Sequence, residues 1–314
     1  MKFKGTEVGA WRKEEVGNPL EDQRVWGNSS PMALRRIRRV VVCLRTGRPG
    51  NGGVAMVLKQ ILREAGVKAV WTTEGGLTRA ARKGVDALVV GGGDGTMLHA
   101  AQATMGSGIP MLGINLGSLG FLTSVKAEEV GYLLPKIFAG HFEVSTRSLL
   151  AAKLEGNRQT WCALNEISVA PAAGSVMVRV RVKVGGEFLS EYHADGLLVA
   201  SPTGSTAYSL SAGGPLVSPK AKAVVLTPVC AHAMAQRPVV VGEAEGVELT
   251  LPPSDPGALV RADGVLVSRL TPGKVLRVTV AKPVVRLLHP AGVGFYGLAR
   301  QKLGWSGSTA RNGR

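Results

Sequence analysis

Aromatic residues, cysteines and acidic residues are all scarce in this chain. Phe, Trp and Tyr account for 5% of its 314 residues, and the three cysteines, Cys43, Cys162 and Cys230, are widely spaced. They form no C-x-x-C pair and no Cys/His cluster, so a zinc site is not indicated and reduced thiols in a cytosolic protein are expected. Lys and Arg outnumber Asp and Glu by 38 to 22. Because aromatic residues do not interleave with the basic ones, we expect a solvated basic face that attracts polyanionic substrates and no specific nucleic-acid partner.

Long apolar runs and a secretory signal are also missing. The uncharged stretches 97–125 and 196–219 are interrupted by Gly and Pro, so neither predicts a bilayer span. Residues 1–31 are polar and aperiodic, which predicts a disordered extension with Met32 as the functional start, and 306–314 is predicted to be a polar tail. These features favour a cytoplasmic protein without a membrane partner.

Two standard nucleotide signatures are absent, although a glycine-rich turn is present. The chain contains neither G-x-x-x-x-G-K-[ST] nor a G-x-G-x-x-G that opens a helix with an acidic residue about 20 positions on. Instead, Gly91–Thr96 (GGGDGT) follows the apolar run Ala87–Val90 and precedes a run of helix-forming residues. Glycines let backbone N–H groups approach a ligand closely, and a helix start at Thr96 favours an anion.

The carboxylate of Asp94 is the unexpected part of this turn. A carboxylate repels a bare phosphate, so its presence in a phosphate-binding turn requires a chemical reason. A base that takes a hydroxyl proton, or a carboxylate that holds Mg²⁺ on a nucleotide, would supply that reason. The alternative is an ordinary strand-to-helix turn in which Asp94 caps the helix.

The first half of the chain alternates short apolar runs with amphipathic helices from about residue 38. We predict strands at 39–44, 67–71, 87–90 and 111–114, and helices at 54–65, 78–83, 96–105 and 128–139. This alternation predicts an α/β domain with a parallel sheet and right-handed crossovers over residues 32–143. Ligands bind such sheets at the carboxyl ends of the strands, which is where Asp94 falls.

The period of the apolar pattern changes from 3.6 to 2 after about residue 143. Valine occupies every second position from 176 to 184 and Gly185-Gly186 follows, which predicts an antiparallel hairpin. Further strands are predicted at 149–154, 196–200, 224–228, 239–241, 247–251, 259–262, 276–280 and 284–288. The pattern therefore predicts an all-β, sandwich-like domain of two packed sheets over 144–288, followed by a docking helix at 295–303.

A second motif places an amide beside a carboxylate, at Asn165-Glu166 within a strand-like run. Neighbours on a strand face opposite ways, so both side chains serve one site only at a strand end or a bulge. The Asn amide suits an adenine edge, and the two Glu oxygens suit a pair of ribose hydroxyls. A solvated turn is the alternative.

A third motif, over 194–215, is rich in hydroxyl side chains. A strand that begins at Asp195 leads into Pro202–Thr206 (PTGST) and a short helix that ends at Gly213-Gly214-Pro215. Hydroxyl groups and N–H groups at a helix start make an uncharged site for a sugar or a phosphate. Tyr208 is placed to stack on a base or to line that pocket.

Taken together, these motifs resemble the NAD kinase family, in order and over nearly the whole chain from about Arg38 to Trp305. The Gly-Gly-Asp-Gly turn is shared with diacylglycerol, sphingosine and 6-phosphofructo-kinases, whereas the later hydroxyl-rich run with Asn-Glu upstream is specific to this family. The matching segments are Gly92–Thr96, Leu112–Thr123, Asn165-Glu166, Asp195–Pro215, His289-Pro290 and Lys302–Trp305.

The resemblance implies an activity, a fold and partners. Members transfer the γ-phosphoryl group of ATP, or in some cases of polyphosphate, to the adenosine-ribose 2′-hydroxyl of NAD and so form NADP. They use Mg²⁺ or a similar divalent ion, and we predict no metal held tightly by protein ligands. Active forms are homodimers or homotetramers. The implied fold is an α/β domain, an all-β NAD-binding domain and a C-terminal segment, here 289–305, that returns to the first domain.

The resemblance also assigns roles by position. Asp94 is implied as the general base, and Gly92, Gly93, Gly95 and Thr96 as the phosphate cradle. NAD contacts are implied for Asp94, Gly95, His99, Asn165, Glu166, His193, Asp195, Thr206, Ala207, Tyr208, Ser209 and Ser211.

Two positions depart from the family pattern. Relatives often have Asp-x-Gln where this chain has Asp263-Gly264-Val265, and several carry Arg where His193 lies. The second departure leaves the preference for NAD or NADH open, and the choice between ATP and polyphosphate is also open.

A lipid kinase and a non-catalytic dinucleotide-binding regulator are the rival functions, and His141, His232 and His289 are expected to be structural.

Overall fold

The computed structural model describes residues 36–45, 51–81, 84–117 and 120–305. The predicted extension at 1–31, the proposed start at Met32 and the predicted tail at 306–314 lie outside the described residues. Within those ranges, no helix is both long enough and apolar enough to cross a membrane.

The first half is the predicted α/β unit. Its elements are β1 (Arg39–Leu44), α1 (Asn51–Glu64), β2 (Lys68–Thr72), α2 (Leu77–Ala80), β3 (Ala87–Gly92), α3 (Asp94–Thr104), β4 (Met111–Asn115), β5 (Val125–Lys126) and α4 (Val130–Phe138). Strands β2, β1, β3 and β4 pair in that order and in parallel. Every residue of β3 and β4 is buried, as expected for a parallel sheet with helices on both faces.

The second half consists almost wholly of antiparallel strands. They are β6 (Phe142–Leu154), β7 (Thr160–Ala163), β8 (Glu166–Pro171), β9 (Val178–Val184), β10 (Glu187–Ala194), β11 (Gly196–Ala200), β12 (Ala223–Val229), β13 (Val239–Gly242), β14 (Val247–Thr250), β15 (Ala258–Ala262), β16 (Val265–Leu270) and β17 (Leu276–Pro290), with helices α5 (Tyr208–Ser211) and α6 (Phe295–Leu303). Strands β13, β12, β11, β8, β15 and β16 form one sheet.

The two sheets of this half share one core. Apolar side chains of β8 and β11, such as Ile167 and Leu197, belong to the same buried cluster as Val180 of β9 and Leu249 of β14. This packing confirms the predicted fold class, an α/β unit joined to a sandwich-like antiparallel unit.

The connection between the halves differs from the sequence prediction. The pattern predicted separate strands at 276–280 and 284–288, because Lys282-Pro283 resembles a turn. In the structure both belong to β17, and the turn-like residues are a bulge between Ala281 and Val284 in its ladder with β6. The end of β17 also pairs in parallel with β4, Leu287 with Met111. One sheet, of 11 strands among the described residues, therefore runs through both halves.

Helix α6 has the predicted bounds and docks on the α/β unit. The ring of Phe295 lies 6.1 Å from the ring of Phe121, which follows β4.

Strands β5, β7 and β16 were not predicted. Strand β16 lies at the edge of its sheet, and most of its residues are exposed or half-exposed. Its sequence therefore shows only a weak alternation of apolar and polar residues.

Candidate functional site

Asp94 opens α3 directly beyond the carboxyl end of β3. Its Oδ2 accepts a hydrogen bond from the Phe121 N–H at 2.8 Å, and its Oδ1 accepts one from the Leu122 N–H at 2.9 Å. These donors belong to the loop after β4, the next strand of the parallel sheet. A carboxylate has about four lone-pair sites, so two main-chain donors fix the group and leave it further acceptor capacity.

The glycines around Asp94 fall into two classes. A Cβ on Gly92 would lie 2.6 Å from the Thr96 Cβ, and a Cβ on Gly120 would lie 2.6 Å from the Asp94 Cγ, so a side chain at either position would displace Thr96 or the Asp94 carboxylate. Within the described ranges, a Cβ on Gly93 or Gly95 would meet no atom within 4 Å, and Gly93 has extended backbone that any residue adopts. Packing therefore does not explain glycine at 93 and 95.

Lys302 of α6 supplies a positive charge next to this carboxylate. Its Nζ lies 3.5 Å from the Asp94 Oδ2 and 4.5 Å from the centre of the Phe121 ring. The sequence analysis included Lys302 only in a matching segment and gave it no role. Its proximity to Asp94 depends on α6 returning across the chain.

The Asn165-Glu166 pair lies where the sequence analysis required it, at a strand end. Asn165 separates β7 from β8, and Glu166 is the first residue of β8. The carboxylate of Asp263 accepts hydrogen bonds from the N–H groups of Leu164, Asn165 and Glu166 at 2.8, 2.7 and 3.2 Å. Asp263 has a φ of 48° in the turn between β15 and β16, a left-handed conformation that Asp tolerates better than most residues.

Glu166 is buried and incompletely satisfied. Its Oε2 has no hydrogen-bond partner in the described part of the chain. Burial, together with the negative charge of Asp263, raises the pKa of the Glu166 carboxyl to about 7. A buried polar atom without a partner is costly, so this oxygen is suited to accept a hydrogen bond from a ligand.

The hydroxyl-rich turn packs against the same corner. The Ser201 Oγ donates to the Leu164 carbonyl at 2.5 Å, and the Ser201 N–H donates to the Asn165 carbonyl at 2.8 Å. A Cβ on Gly204 would lie 2.7 Å from the Asn165 Cα and would collide with its carbonyl oxygen. The second and third motifs are therefore brought together by main-chain contacts.

Several hydroxyls of this turn bond within the protein. Ser205 Oγ donates to the Pro202 carbonyl at 2.7 Å, Thr206 Oγ1 donates to the Thr203 carbonyl at 3.0 Å, and Ser209 Oγ lies 2.8 Å from Thr227 Oγ1. Ser205 and Ser209 are buried, whereas Tyr208 is half exposed. Ala207 and Ser211 flank and end the one-turn helix α5. In this structure the buried hydroxyls shape the turn, and the Tyr208 ring is accessible.

His193 and Asp195 lie at the junction of β10 and β11. The His193 Nε2 is 3.2 Å from the Glu191 Oε1, and the His232 Nε2 is 4.0 Å from the Asp195 Oδ1. The His193 carbonyl also accepts the His232 N–H at 2.9 Å. These polar groups form a partly exposed cluster at the strand junction. His289, in contrast, is half-buried, with its Nε2 2.6 Å from the Ser145 Oγ.

Helix α3 links the Asp94 end to the Asn165 end. Gln102, eight residues after Asp94, donates from its Nε2 to the Asp263 Oδ2 at 3.2 Å. His99 lies between them on the same helix and is exposed. The family glutamine missing at Val265 therefore does not leave Asp263 without an amide partner. The sequence analysis did not identify Gln102, because nothing local marks a residue whose partner is 161 positions away.

The described residues contain no group of three or more His, Cys, Asp or Glu side chains arranged to hold a metal ion. A divalent ion that Asp94 helps to bind would need most of its ligands from elsewhere, such as the phosphate oxygens of a nucleotide.

Comparison with known proteins identifies the family of the chain. Residues 31–142 match the ATP-NAD kinase N-terminal domain, and residues 164–289 match the ATP-NAD kinase C-terminal domain. The chain is 42% identical over 225 residues to the NAD kinase of Moorella thermoacetica, covering 71% of this chain and 72% of that protein. It is 39% identical over 234 residues to the NAD kinase of Desulforamulus reducens, covering 73% of this chain and 81% of that protein.

Two solved structures share the fold. Yeast NADH kinase complexed with NADH superposes with a TM-score of 0.78 at 22% identity, over 88% of this chain and 90% of that one. An NAD kinase from Archaeoglobus fulgidus in complex with ATP superposes with a TM-score of 0.68 at 25% identity, over 85% of this chain and 97% of that one. Both domain models match in order and together span most of the described residues, so the chain belongs to the ATP-NAD kinase family.

Proposed function

We propose that this protein is an NAD kinase that transfers the γ-phosphoryl group of ATP to the 2′-hydroxyl of the adenosine ribose of NAD and so forms NADP. The observation that carries the proposal is a carboxylate, Asp94, fixed by two main-chain donors between two glycines that packing does not require. A phosphate chain that lies against the backbone gives a reason for those glycines, and proton transfer gives a reason for the carboxylate.

The donor phosphates bind, in this proposal, along Gly92, Gly93, Gly95 and Thr96 at the start of α3. Because a Cβ at Gly93 or Gly95 would meet no atom of the described residues within 4 Å, we assign the space beside those residues to a ligand. Backbone N–H groups and the positive end of the helix dipole favour an anion there. Mg²⁺ supplies charge neutralisation on the donor phosphates, and we expect it to enter with them.

The acceptor binds, in this proposal, at the corner that Asp263 organises. Asn165 recognises the adenine edge, and the unpartnered Oε2 of Glu166 accepts a hydrogen bond from a ribose hydroxyl. The half-exposed ring of Tyr208 stacks on a base or lines the pocket. The remaining contacts come from the α3 and strand-junction residues and from the hydroxyl-rich turn, namely Gly95, His99, His193, Asp195, Thr206, Ala207, Ser209 and Ser211.

Asp94 acts, in this proposal, as the general base. Phosphoryl transfer depends on in-line positioning and charge neutralisation more than on covalent help from the protein. The 2′-hydroxyl oxygen becomes more acidic as it bonds to phosphorus, so a carboxylate can accept its proton late in the step. The two main-chain donors from Phe121 and Leu122 hold the carboxylate in one orientation for that transfer.

The test is a crossed assay on the purified full chain with Mg²⁺ present. NAD and NADH are each combined with ATP and with polyphosphate, and NADP or NADPH is quantified. NADP formed from NAD and ATP is expected. If no NADP forms and a lipid hydroxyl is phosphorylated instead, the result contradicts the proposal in favour of a lipid kinase. If no NADP forms and the protein binds DNA in a salt-sensitive way without turnover, the result favours a regulator. Sedimentation of the same sample tests the proposed homodimer or homotetramer.

A further inference from the structure

The carboxylate of Asp94 creates an electrostatic problem for the proposed donor site. It lies between Gly93 and Gly95, where the phosphate chain is proposed to bind, and an ionised carboxylate repels an approaching polyanion. A site that uses a carboxylate for proton transfer and binds phosphates beside it requires a compensating positive charge.

Lys302 is placed to provide that charge. Its Nζ lies 3.5 Å from the same oxygen of Asp94 that accepts the Phe121 N–H. About one-third of each of these two side chains is exposed, so the pair is open to a ligand from solvent. Its ammonium group also lies 4.5 Å from the centre of the Phe121 ring, within the range of a favourable cation–π contact.

The position of Lys302 is set by a docked element. Helix α6 contacts the α/β unit through Phe295, whose ring packs near that of Phe121, and its Ala299 is buried. Phe121 therefore contacts both members of the ion pair, since its N–H bonds Asp94 and its ring faces Lys302. The helix ends just after Lys302, at Gly304, which adopts a left-handed conformation.

We propose that Lys302 is a positioning residue that acts through Asp94, compensating its charge so that the donor phosphates can bind beside it. The inference rests on the proposed function only in taking the glycine turn as the donor site. During transfer the 2′-hydroxyl proton moves to Asp94, the oxygen–phosphorus bond forms, and the bond from phosphorus to the ADP oxygen breaks. Lys302 takes no part in the proton transfer, and its role is limited to compensating the charge of the Asp94 carboxylate.

A double-mutant cycle on donor binding tests this role without any turnover. Binding of Mg-ATP is measured by calorimetry, in the absence of NAD, for the wild type, Lys302→Gln, Asp94→Asn and the double variant. Lys302→Gln is expected to weaken binding about tenfold in the wild-type background, the middle of the range for coupled contacting residues. In the Asp94→Asn background the same change is expected to have little effect, because no carboxylate remains to be compensated.

Control variants separate this role from others. Arg300→Gln removes the same charge from an exposed position on the same helix and is expected to leave Mg-ATP binding unchanged. Lys302→Arg is expected to retain most of the wild-type affinity. Thermal unfolding checks each variant, and Lys302→Met, which keeps the methylene stem, is used if Lys302→Gln does not fold.

Several results would overturn the inference. If Lys302→Gln lowers the affinity for Mg-ATP equally in both Asp94 backgrounds, Lys302 is a direct phosphate ligand. If Arg300→Gln lowers that affinity as much as Lys302→Gln does, the effect depends only on the net charge of the protein. No change in Lys302→Gln would remove its role altogether. A wild type that forms NADP without this coupling contradicts only the inference. One that shows the coupling but forms no NADP contradicts only the proposed function, and failure to bind Mg-ATP contradicts both.

Discussion

The Asp263 carboxylate accepts the Asn165 N–H at 2.7 Å across 98 residues of sequence. It also accepts the neighbouring N–H groups of Leu164 and Glu166, so one half-buried acidic group holds the main chain of Asn165 and Glu166, the two residues proposed to bind the nucleoside. The Gln102 amide adds a contact from α3. The conformation of the proposed acceptor site therefore depends on a residue that has no proposed contact with NAD.

Asp263→Asn is expected to raise the KM for NAD and to lower stability. Asn tolerates the left-handed backbone at this position, but its amide has one oxygen where the carboxylate has two. Each buried N–H that loses its acceptor costs about 1–3 kcal/mol. Steady-state kinetics with varied NAD and urea denaturation measure the two effects.

Asp255→Asn is the matched control for that variant. Asp255 is a buried turn residue that likewise accepts main-chain N–H groups, from Arg179 and Gly257. Its replacement is expected to lower stability to a similar extent while the KM for NAD stays unchanged. A KM for NAD that rises equally in both variants would show that general destabilisation is the cause.

Asp94→Asn is expected to abolish most turnover while NAD binding stays intact. The amide is nearly isosteric with the carboxylate but cannot accept the 2′-hydroxyl proton, and positioned general bases contribute about 10²–10⁴-fold. Initial rates of NADP formation and calorimetric titration with NAD measure the two properties. A kcat near the wild-type value would eliminate Asp94 as the base.

Gly120→Ala is expected to lower kcat about 10²-fold, the cost of misplacing a catalytic group by about 1 Å. The added Cβ would collide with the Asp94 carboxylate, so the carboxylate must move away from its main-chain donors. Gly131→Ala in α4 is the control, since a Cβ there would meet none of the described atoms within 4 Å. Unchanged activity in Gly120→Ala would mean that the position of Asp94 is not critical.

Gly95→Ala and Gly204→Ala are expected to fail in different ways. A Cβ at Gly95 would meet no atom within 4 Å in the part of the chain that the structure describes, so folding is expected to be retained while the affinity for Mg-ATP falls. A Cβ at Gly204 collides with the main chain of Asn165, so this variant is expected to lose stability first. Unfolding midpoints and Mg-ATP titrations of both variants distinguish the two cases, and normal Mg-ATP affinity in Gly95→Ala would contradict the phosphate cradle.

Glu166→Gln is expected to change how stability depends on pH in the ligand-free protein. Because the folded-state pKa of Glu166 is raised from 4.5 to about 7, the folded protein binds more protons than the unfolded chain between those values. The wild type therefore loses stability relative to Glu166→Gln as pH rises from about 4.5 to about 7, by about 3 kcal/mol in all. Urea denaturation of both proteins at pH 5 and pH 8 measures the difference, and a difference that does not vary with pH would refute the shift.

Much of the fold was predictable because it is encoded locally. Strand 39–44 and helix 295–303 have the bounds that the apolar pattern predicted, and the change of period near residue 143 marked the transition to antiparallel strands. The glycine turn, the Asn-Glu pair and the hydroxyl-rich turn were recognisable as short motifs, since each depends on neighbouring residues.

Other features were decided only by tertiary structure. The Lys282-Pro283 segment resembles a turn, but the ladder with β6 carries β17 through it as a bulge. The contacts of Asp94 with Lys302, of Asp263 with Asn165 and of Glu166 with its buried surroundings join segments far apart in the chain. Apolar periodicity and turn residues determine each element by itself, whereas distances between charges and the burial of a carboxylate depend on how all the elements pack.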